Sequence, residues 1–330
     1  MMNRTIILKT RPVGMPKTSD FNFIETQMPA AQNGEVLLKT VYISVDPYLR
    51  GKMSGTYKPP FDVGGPISSR AIAQVISSHN NKFAVGDFVI GYLDWAEYQI
   101  SNGIALQKID AGAAPLSAYL GVLGTTGLSA YFALTDIGMP KLGETLVVSG
   151  AAGAVGSIAG QIGKIYGCRV VGIVGSDAKM ELIKDKFGFD EAINYKTCTN
   201  IKAAITQACP SGVDIYFDNV GGEISDAVIA NLNNNARMPV CGSISNYNSI
   251  GQETGPRLLP VIVYKRILLK GFLIADYAEK FPQGVTQLSA WVKEGRLKYS
   301  ETVVEGFNNL PQAFIGLFEG KNEGKMMVKV

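Results

Sequence analysis

Three closely spaced glycines form the motif with the clearest chemistry in this sequence. The apolar run 145–148 leads into Gly150, and Ala151-Ala152-Gly153-Ala154-Val155-Gly156 follow it. Glycines in such a turn let backbone N–H groups approach a phosphate, and the positive end of the next helix stabilises its charge. The glycines alone are weak evidence, but a helix-compatible segment and a second apolar run, 169–174, follow at the right spacing. Together they predict a βαβ unit that binds a dinucleotide pyrophosphate.

The residues after the second run indicate which dinucleotide is bound. NAD-selecting enzymes place an acid about 20 residues beyond the glycine turn, where it holds the ribose 2′-hydroxyl. Here Gly175 and Ser176 leave room for a 2′-phosphate and Lys179 can pair with it, which favours NADPH. Asp177 argues for NAD, because a shift of one position would make it the selecting acid. Lys179 could also be an ordinary solvated helix lysine.

Histidine and cysteine usage argues against a metal site. His79 is the only histidine and lies in a polar turn, so a Ser-His-Asp relay would rest on that residue alone. The four cysteines are far apart, form no Cys-x-x-Cys pair and are expected to be small buried residues: Cys168, Cys198, Cys209 and Cys241. We therefore expect neither a metal nor a disulfide framework.

Charge and hydropathy restrict the class of protein further. The net charge of +3 comes from 31 basic and 28 acidic residues that form no long run, so no general nucleic-acid surface is predicted. The N-terminus lacks the apolar core of a signal peptide. The most apolar stretch, 258–275, is interrupted by Lys265, Arg266 and Lys270, which argues against a membrane span. We expect a cytoplasmic protein.

The pattern of elements predicts two domains. The first 110 residues alternate short apolar runs with turns, which is typical of a mainly β domain with a bent sheet. From residue 145, apolar runs alternate with helix-compatible segments, which predicts an α/β fold with a doubly wound parallel sheet. Its strands are predicted at 145–148, 169–174, 213–217, 237–241 and 268–273. The tail contains runs at 300–304 and 326–330, and the last could return to the first sheet.

Several segments together resemble the zinc-independent medium-chain reductases that reduce alkenal and enone double bonds. They occur in order along nearly the whole chain: 45–51, 123–131, 143–156, 217–222, 240–248 and 320–325. Segments 42–48, 237–242 and 314–322 are most similar to the bacterial NADPH-dependent curcumin reductase branch. One departure is Gly124-Thr125-Thr126-Gly127, where many relatives have Gly-Met-Pro-Gly in the hinge.

The resemblance implies a GroES-like catalytic domain formed by 1–122 and 296–330, and a Rossmann NADPH-binding domain at 123–295. It also implies a homodimer joined through the Rossmann sheets. With the glycine turn and the 2′-phosphate residues above, the expected cofactor contacts are Gly150, Gly153, Ala154, Val155, Gly156, Gly175, Ser176, Lys179, Tyr195, Asn219, Cys241, Ser243, Tyr247, Phe272, Leu273 and Asn322.

Reduction of an enone requires a hydride at the β-carbon, a donor for the developing enolate oxygen and a proton at the α-carbon. NADPH supplies the hydride, and a tyrosine hydroxyl is a suitable neutral donor. The candidates are Tyr247 as the enolate donor, Tyr57 for substrate binding or proton donation, and Tyr48. Asp46, Tyr48 and Arg50 could instead form a buried structural network, and the cofactor ribose or water could deliver the proton.

The expected activity is therefore NADPH-dependent reduction of conjugated enones, either curcumin-type aromatic compounds or lipid-derived ones. The alternatives are an NADPH-dependent quinone reductase, which shares the fold and the lack of zinc, and an NADPH-binding protein that has lost catalysis. The intact glycine turn, with Lys179 and Tyr247, argues against the last of these.

Overall fold

The chain folds as two units, which the computed structural model describes over residues 2–251 and 253–330. The N-terminal unit comprises the residues up to Leu120 together with Glu301–Asn322 and Met326–Val330. The central unit comprises Gly121–Ser300 and Glu323–Lys325. The domain boundaries predicted at 122/123 and 295/296 stay a prediction.

Fifteen strands are found in the described residues, named here in chain order. They are β1 (Met2–Leu8), β2 (Phe21–Gln27), β3 (Val36–Ser44), β4 (Ser68–Ser78), β5 (Phe88–Asp94), β6 (Tyr98–Ser101), β7 (Gln107–Ile109), β8 (Thr145–Ser149), β9 (Arg169–Val174), β10 (Glu191–Asn194), β11 (Val213–Phe217), β12 (Leu232–Val240), β13 (Leu268–Gly271), β14 (Glu301–Glu305) and β15 (Lys325–Lys329).

The α-helices are α1 (Leu49–Ser54), α2 (Thr125–Ala133), α3 (Gly156–Ile165), α4 (Asp177–Glu181), α5 (Ile201–Ala208), α6 (Gly222–Ala230), α7 (Leu259–Lys265), α8 (Phe281–Lys293) and α9 (Leu310–Phe318). Helix α2 continues into a π-helical turn at Leu134–Gly138, and α4 continues into one at Leu182–Lys186. None of the helices in the described ranges is both long and apolar enough to cross a bilayer.

The central unit contains one six-stranded parallel sheet in the order β10-β9-β8-β11-β12-β13. All five residues of β8 are buried, as expected for a strand covered on both faces. The strand order reverses between β8 and β11, and ligands of such sheets bind at the carboxyl ends of the strands beside this point. The predicted doubly wound fold is confirmed, and this reversal defines where its site should lie.

The structure corrects the predicted strands in three places. The edge strand β10 was not predicted, because its four residues, Glu-Ala-Ile-Asn, carry no continuous apolar run. Strand β12 begins at Leu232 rather than at residue 237. Its first part was not predicted because it contains three consecutive asparagines, residues with low strand propensity. Strand β13 ends at Gly271, so Phe272 and Leu273 follow it rather than belong to it.

The N-terminal unit is mainly β, which confirms the predicted GroES-like class. Its seven-stranded sheet has the order β14-β15-β3-β4-β5-β7, with β6 also paired to β3, and β1 and β2 form a separate hairpin. The C-terminal strand β15 is antiparallel to β3, with Met327 opposite Ser44. A chain segment distant in sequence thus completes the sheet that positions the tyrosines.

Aromatic side chains from three parts of the chain form the centre of this unit's core. The Trp95 ring lies 6.2 Å from the ring of Phe314 in α9 and 6.2 Å from that of Phe21. All three are at most 5% exposed. Burying an aromatic side chain of this size contributes about 1.5–3 kcal/mol, so α9 is held firmly against the N-terminal strands.

Candidate active site

The glycine turn connects β8 to α3 beside the point where the strand order reverses. Gly150 has φ +59°, a conformation that strains other residues, and the Gly153 N–H donates to the Gly150 carbonyl over 3.0 Å. A Cβ at Gly156 would lie 2.3 Å from the Gly150 oxygen, so only glycine fits where α3 begins. Ala154 and Val155 lie between these glycines, and the N-terminus of α3 is therefore close to the turn.

A segment from the C-terminal tail lies against the same turn. The Gly324 N–H donates to the Ala152 carbonyl over 2.8 Å, and Gly324 forms a parallel bridge with Gly153. Asn322, predicted as a cofactor contact, comes two residues before Gly324. The backbone of Gly324, distant in sequence, therefore stabilises the turn.

The end of β9 carries the residues predicted to select the dinucleotide. Ser176 caps α4, and its hydroxyl accepts the Lys179 N–H over 3.3 Å. Gly175 faces Tyr195, since a Cβ built on Gly175 would lie 3.1 Å from Tyr195 Cε1 and 3.4 Å from Lys196 Cε. The structure thus brings Gly175, Ser176, Lys179 and Tyr195 together, and their contact with a cofactor stays a prediction.

Lys196 is a residue of this cluster that the sequence reasoning missed. Burial, the largest cause, lowers the pKa of Lys179; the nearby Lys196 charge lowers it further, while Glu323 opposes the change. The two ammonium groups repel each other, and the Glu323 carboxylate offsets this repulsion at Lys179. The signal in the sequence was the Tyr195-Lys196 pair, which follows the unpredicted strand β10.

Asp177, the residue that argued for NAD, is the first residue of α4. Its carboxylate accepts a hydrogen bond of 2.7 Å from the side-chain amide of Asn194, the last residue of β10. This bond directs Asp177 towards the sheet edge, whereas Lys196 and Lys179 cluster near Gly175.

Asn219 follows β11, where the sequence placed it. Its backbone N–H and side-chain amide both bond to Ser149, at 2.9 Å to the hydroxyl and 2.8 Å to the carbonyl. Ser149 is the last residue of β8, so these bonds connect the carboxyl ends of the two strands at which the order reverses.

A buried carboxylate organises this edge of the sheet, and its role was not predicted. Asp218 is 2% exposed and accepts hydrogen bonds from three hydroxyls and two backbone N–H groups. The donors are Ser149 at 3.0 Å, Tyr216 at 2.8 Å, Ser225 at 2.5 Å, and the N–H groups of Val220 at 2.9 Å and Gly221 at 3.0 Å. Because these bonds fix the turn after β11, Asp218 positions Asn219.

The loop after β12 contains three predicted residues. The Cys241 N–H donates to the Asp218 carbonyl over 2.8 Å, and burial, with the Asp218 charge, raises the pKa of the Cys241 thiol to about 12. The Tyr247 hydroxyl accepts the Ser243 N–H at 3.4 Å, so Ser243 and Tyr247 are neighbours. Phe272 and Leu273, after β13, lie at the next strand end along the sheet.

In the N-terminal unit, the structure brings Tyr48 and Tyr57 together. Their ring centroids are 5.9 Å apart, and the Tyr57 N–H donates to the Gly51 carbonyl in α1. Tyr57 is 39% exposed, whereas the Tyr48 hydroxyl is buried and has no hydrogen-bond partner in the described part of the chain. Burial, with the charge of Asp46, raises the pKa of Tyr48 far above its ordinary value, so the hydroxyl remains a neutral donor.

Arg50, by contrast, has a structural role. Its guanidinium is buried and donates to the carbonyls of Pro12 and Gly14, at 3.0 Å each. The Asp46 carboxylate accepts the Ser44 hydroxyl. Of the three residues considered as a buried network, Arg50 thus holds the loop before β2. The Tyr48 hydroxyl has no hydrogen-bond partner among the residues that the structure describes.

The segment that departs from its relatives is the start of a helix. Gly124 is the N-cap of α2, which begins at Thr125, and the Thr126 hydroxyl donates to the Gly121 carbonyl over 2.9 Å. The two threonines therefore belong to a regular helix start. In residues 2–251 and 253–330, no group of three or more His, Cys, Asp or Glu side chains is arranged to hold a metal ion.

Comparison with known proteins agrees with this arrangement. The family described as the N-terminal domain of oxidoreductase matches residues 4–109, and the family described as zinc-binding dehydrogenase matches residues 154–291. The chain is 43% identical to the NADPH-dependent curcumin reductase of Escherichia coli (strain K12), over 99% of this chain and 97% of that protein. It is 42% identical to the 2-alkenal reductase (NADP(+)-dependent) of Nicotiana tabacum, over 99% of this chain and 97% of that protein.

A solved structure shows the same fold throughout. CurA from Vibrio vulnificus, crystallised in complex with NADPH, superposes with a TM-score of 0.95 at 41% identity and covers 99% of both chains. Identity above 40% over the whole length leaves no part of the fold unmatched. This chain belongs to the zinc-independent medium-chain dehydrogenase/reductase family, in its group of alkenal and enone double-bond reductases.

Proposed function

We propose that this protein is an NADPH-dependent reductase of the carbon–carbon double bond in α,β-unsaturated ketones and aldehydes. The relatives named as curcumin and 2-alkenal reductases support this activity. The observation that carries the chemistry is the Tyr48 hydroxyl, which is buried, neutral and without a hydrogen-bond partner in the described ranges. Such a donor suits an oxygen that gains negative charge as the double bond is reduced.

The residues at the carboxyl end of the parallel sheet fit NADPH. Gly150, Gly153, Ala154, Val155 and Gly156 would hold the pyrophosphate, because the tight turn and the start of α3 place backbone near the bound phosphates. Gly175, Ser176, Lys179, Tyr195 and Lys196 would hold the 2′-phosphate, whose charge would relieve the repulsion between the two lysines. The remaining proposed contacts are Asn219, Cys241, Ser243, Tyr247, Phe272, Leu273 and Asn322.

When bound, NADPH supplies the hydride for the β-carbon. The chain would provide the hydrogen bonds that orient the carbonyl and stabilise its oxygen. Tyr48 is the donor best prepared for this, Tyr247 is the second candidate for the same oxygen, and Tyr57 would bind the substrate or deliver the proton. The high pKa of Tyr48 keeps its proton in place at neutral pH, so it can stabilise the oxygen without ionising.

The proposed substrates are conjugated enones, of either the curcumin type or lipid-derived. The Tyr48 and Tyr57 rings, tilted at 56° to each other, offer aromatic surface for an extended conjugated chain. The names of the relatives support both aromatic and aliphatic substrates.

We also propose a homodimer joined through the edge of the central sheet. Strand β13 is an edge strand with exposed residues, and α7 beside it exposes apolar side chains. Leu259, Val263 and Tyr264 are each at least 72% exposed, and Leu268 is 42% exposed. An exposed apolar edge strand of this kind favours pairing with a second copy.

Isotope transfer tests the proposed activity directly. Benzylideneacetone would be reduced with NADPH carrying deuterium at C4 of the nicotinamide, in separate 4R and 4S preparations, and the product analysed by NMR. We expect deuterium on the former β-carbon from one of the two preparations. Faster turnover of a quinone than of the enone would replace the proposal with a quinone reductase, and NADPH binding with no oxidation on any enone would indicate a binding protein.

A further inference from the structure

Arg70, a half-buried arginine next to the tyrosines, forms no salt bridge within residues 2–251 and 253–330. Arg70 lies on β4 directly opposite Tyr92 on β5, and its guanidinium carbon is 5.6 Å from the centre of the Tyr92 ring. Arg70 makes no hydrogen bond or ion pair with any residue of the described ranges. The guanidinium lies over the face of the Tyr92 ring, and Tyr92 is itself 57% exposed.

The sheet places this arginine at the border of an apolar surface. Ile72 and Ile90, the next cross-strand pair on the same face, are buried in a cluster with Leu120 and Met327. Arg70 therefore stands where the covered part of this face ends. Charged side chains in such positions are normally paired, because removing a charge from water is costly without a partner.

The surroundings define what could pair with Arg70. Burial lowers its pKa, while Tyr92, Tyr48 and Asp46 act to raise it, so all three groups are near the guanidinium. Asp46 is close enough for its charge to act on Arg70, and its carboxylate accepts a hydrogen bond from the Ser44 hydroxyl. The site therefore has one cation, two phenolic hydroxyls and a nearby negative charge.

We propose that Arg70, with the Tyr92 hydroxyl, binds a carboxylate carried by the enone substrate. The planar guanidinium offers parallel N–H donors that match a carboxylate, and the tyrosine adds a third donor. A single negative charge suits this site better than a phosphate ester, which carries almost two and would lie near Asp46. The subsite rests on the proposed reductase function and adds that acidic enones are preferred substrates.

A matched pair of substrates tests the proposal. 4-(3-Oxobut-1-enyl)benzoate and its methyl ester have the same enone and differ in one charge. Wild-type protein and the Arg70→Gln, Arg70→Lys and Lys39→Gln variants would be compared by kcat/KM with saturating NADPH. Lys39 is an exposed lysine on β3 of the same sheet and serves as the matched loss of charge. Thermal unfolding would verify that each variant folds.

We expect Arg70→Gln to lower kcat/KM for the acid about 30-fold, the range for a lost charged hydrogen bond. The ester should change less than about threefold, Arg70→Lys should restore part of the acid activity, and Lys39→Gln should match wild type. Equal losses on acid and ester, or equal wild-type rates on both substrates with no effect of the variant, would overturn the subsite and leave the reductase function standing.

Binding without turnover separates the subsite from the proposed function. The saturated acid, 4-(3-oxobutyl)benzoate, and its methyl ester would be titrated calorimetrically into the protein with NADP⁺ bound. Tighter wild-type binding of the acid that is lost in Arg70→Gln supports the subsite, even where neither enone is reduced and the reductase function fails. Equal affinity of wild type and Arg70→Gln for the acid would refute it.

Discussion

Replacing Tyr48 with phenylalanine should make the protein more stable and less active. The Tyr48 hydroxyl is buried near the Tyr92 side chain, and no group of the described chain meets it with the geometry of a hydrogen bond. The ring packs against the core and lies 5.9 Å from the Tyr57 ring, so Tyr48→Phe retains the packing and removes only the oxygen. The unfolded chain hydrates that oxygen, whereas the folded protein does not.

The size of the effect follows from this difference. A buried polar group left without a partner costs about 1–3 kcal/mol. Tyr48→Phe should therefore raise the free energy of unfolding by about 1 kcal/mol, which raises Tm by about 2–4 °C for a unit of this size. Removing one donor from an oxyanion site lowers kcat by about 100-fold. The two effects have opposite signs, which a purely structural role would not produce.

Calorimetry and steady-state kinetics on the same preparations measure both quantities. Two control variants show how Tm responds to the loss of a solvent-exposed hydroxyl and of a buried, hydrogen-bonded hydroxyl. Tyr57→Phe removes a hydroxyl from a side chain 39% exposed to water and should leave Tm unchanged. Tyr216→Phe removes a fully buried hydroxyl that donates to Asp218 over 2.8 Å and should lower the free energy of unfolding by about 1.5–3 kcal/mol. A Tm loss in Tyr48→Phe comparable to that in Tyr216→Phe would refute the reasoning.

Three further predictions follow from the other contacts. Lys196→Ala and Lys179→Ala should each raise KM for NADPH about 10–100-fold and leave KM for NADH unchanged, because each would remove a proposed charged bond to the 2′-phosphate; equal losses with both cofactors would place the lysine elsewhere. Asp218→Asn should lower the free energy of unfolding in urea by about 2–4 kcal/mol, because an amide cannot accept all five hydrogen bonds that the Asp218 carboxylate accepts. An unchanged unfolding midpoint would contradict this. Phe314→Ala should lower the free energy of unfolding by about 3–5 kcal/mol in the same assay, because it leaves a cavity beside Trp95. A loss below about 1 kcal/mol would show that the packing of α9 contributes little to stability.

Local signals in the sequence led to the prediction of the cofactor site. Gly150 and Gly156 are required by the backbone itself, through a left-handed conformation and a close approach, so their types and spacing carry the information. Lys179 follows the turn at a fixed distance along the chain. Lys196 was missed because its neighbours, Gly175 and Lys179, come from a different strand and helix. Its position depends on β10, whose short polar sequence gives no strand signal.

The catalytic candidates also divide into features that the local sequence indicated and features that depend on tertiary contacts. The sequence pointed to Tyr48 through a motif, but motif residues next to it have different roles: Arg50 bonds to backbone carbonyls, and the Tyr48 hydroxyl bonds to nothing in the described chain. Side-chain environments of this kind depend on which strands pair. Arg70 was not singled out from the sequence, because its position opposite Tyr92 appears only once β4 and β5 are paired.

The sequence by itself determined the fold class and the dinucleotide turn, because strand-helix alternation and the glycines of the turn are properties of neighbouring residues. The group of enzymes was implied by the resemblance of several segments along the chain to one family. The tertiary structure decided which charges and hydroxyls lie close together. Lys196 beside Lys179, Asp218 with its five donors and Arg70 opposite Tyr92 all arise from contacts between residues distant in the chain. Burial and electrostatic interactions depend on separation in space, which the order of residues alone does not specify.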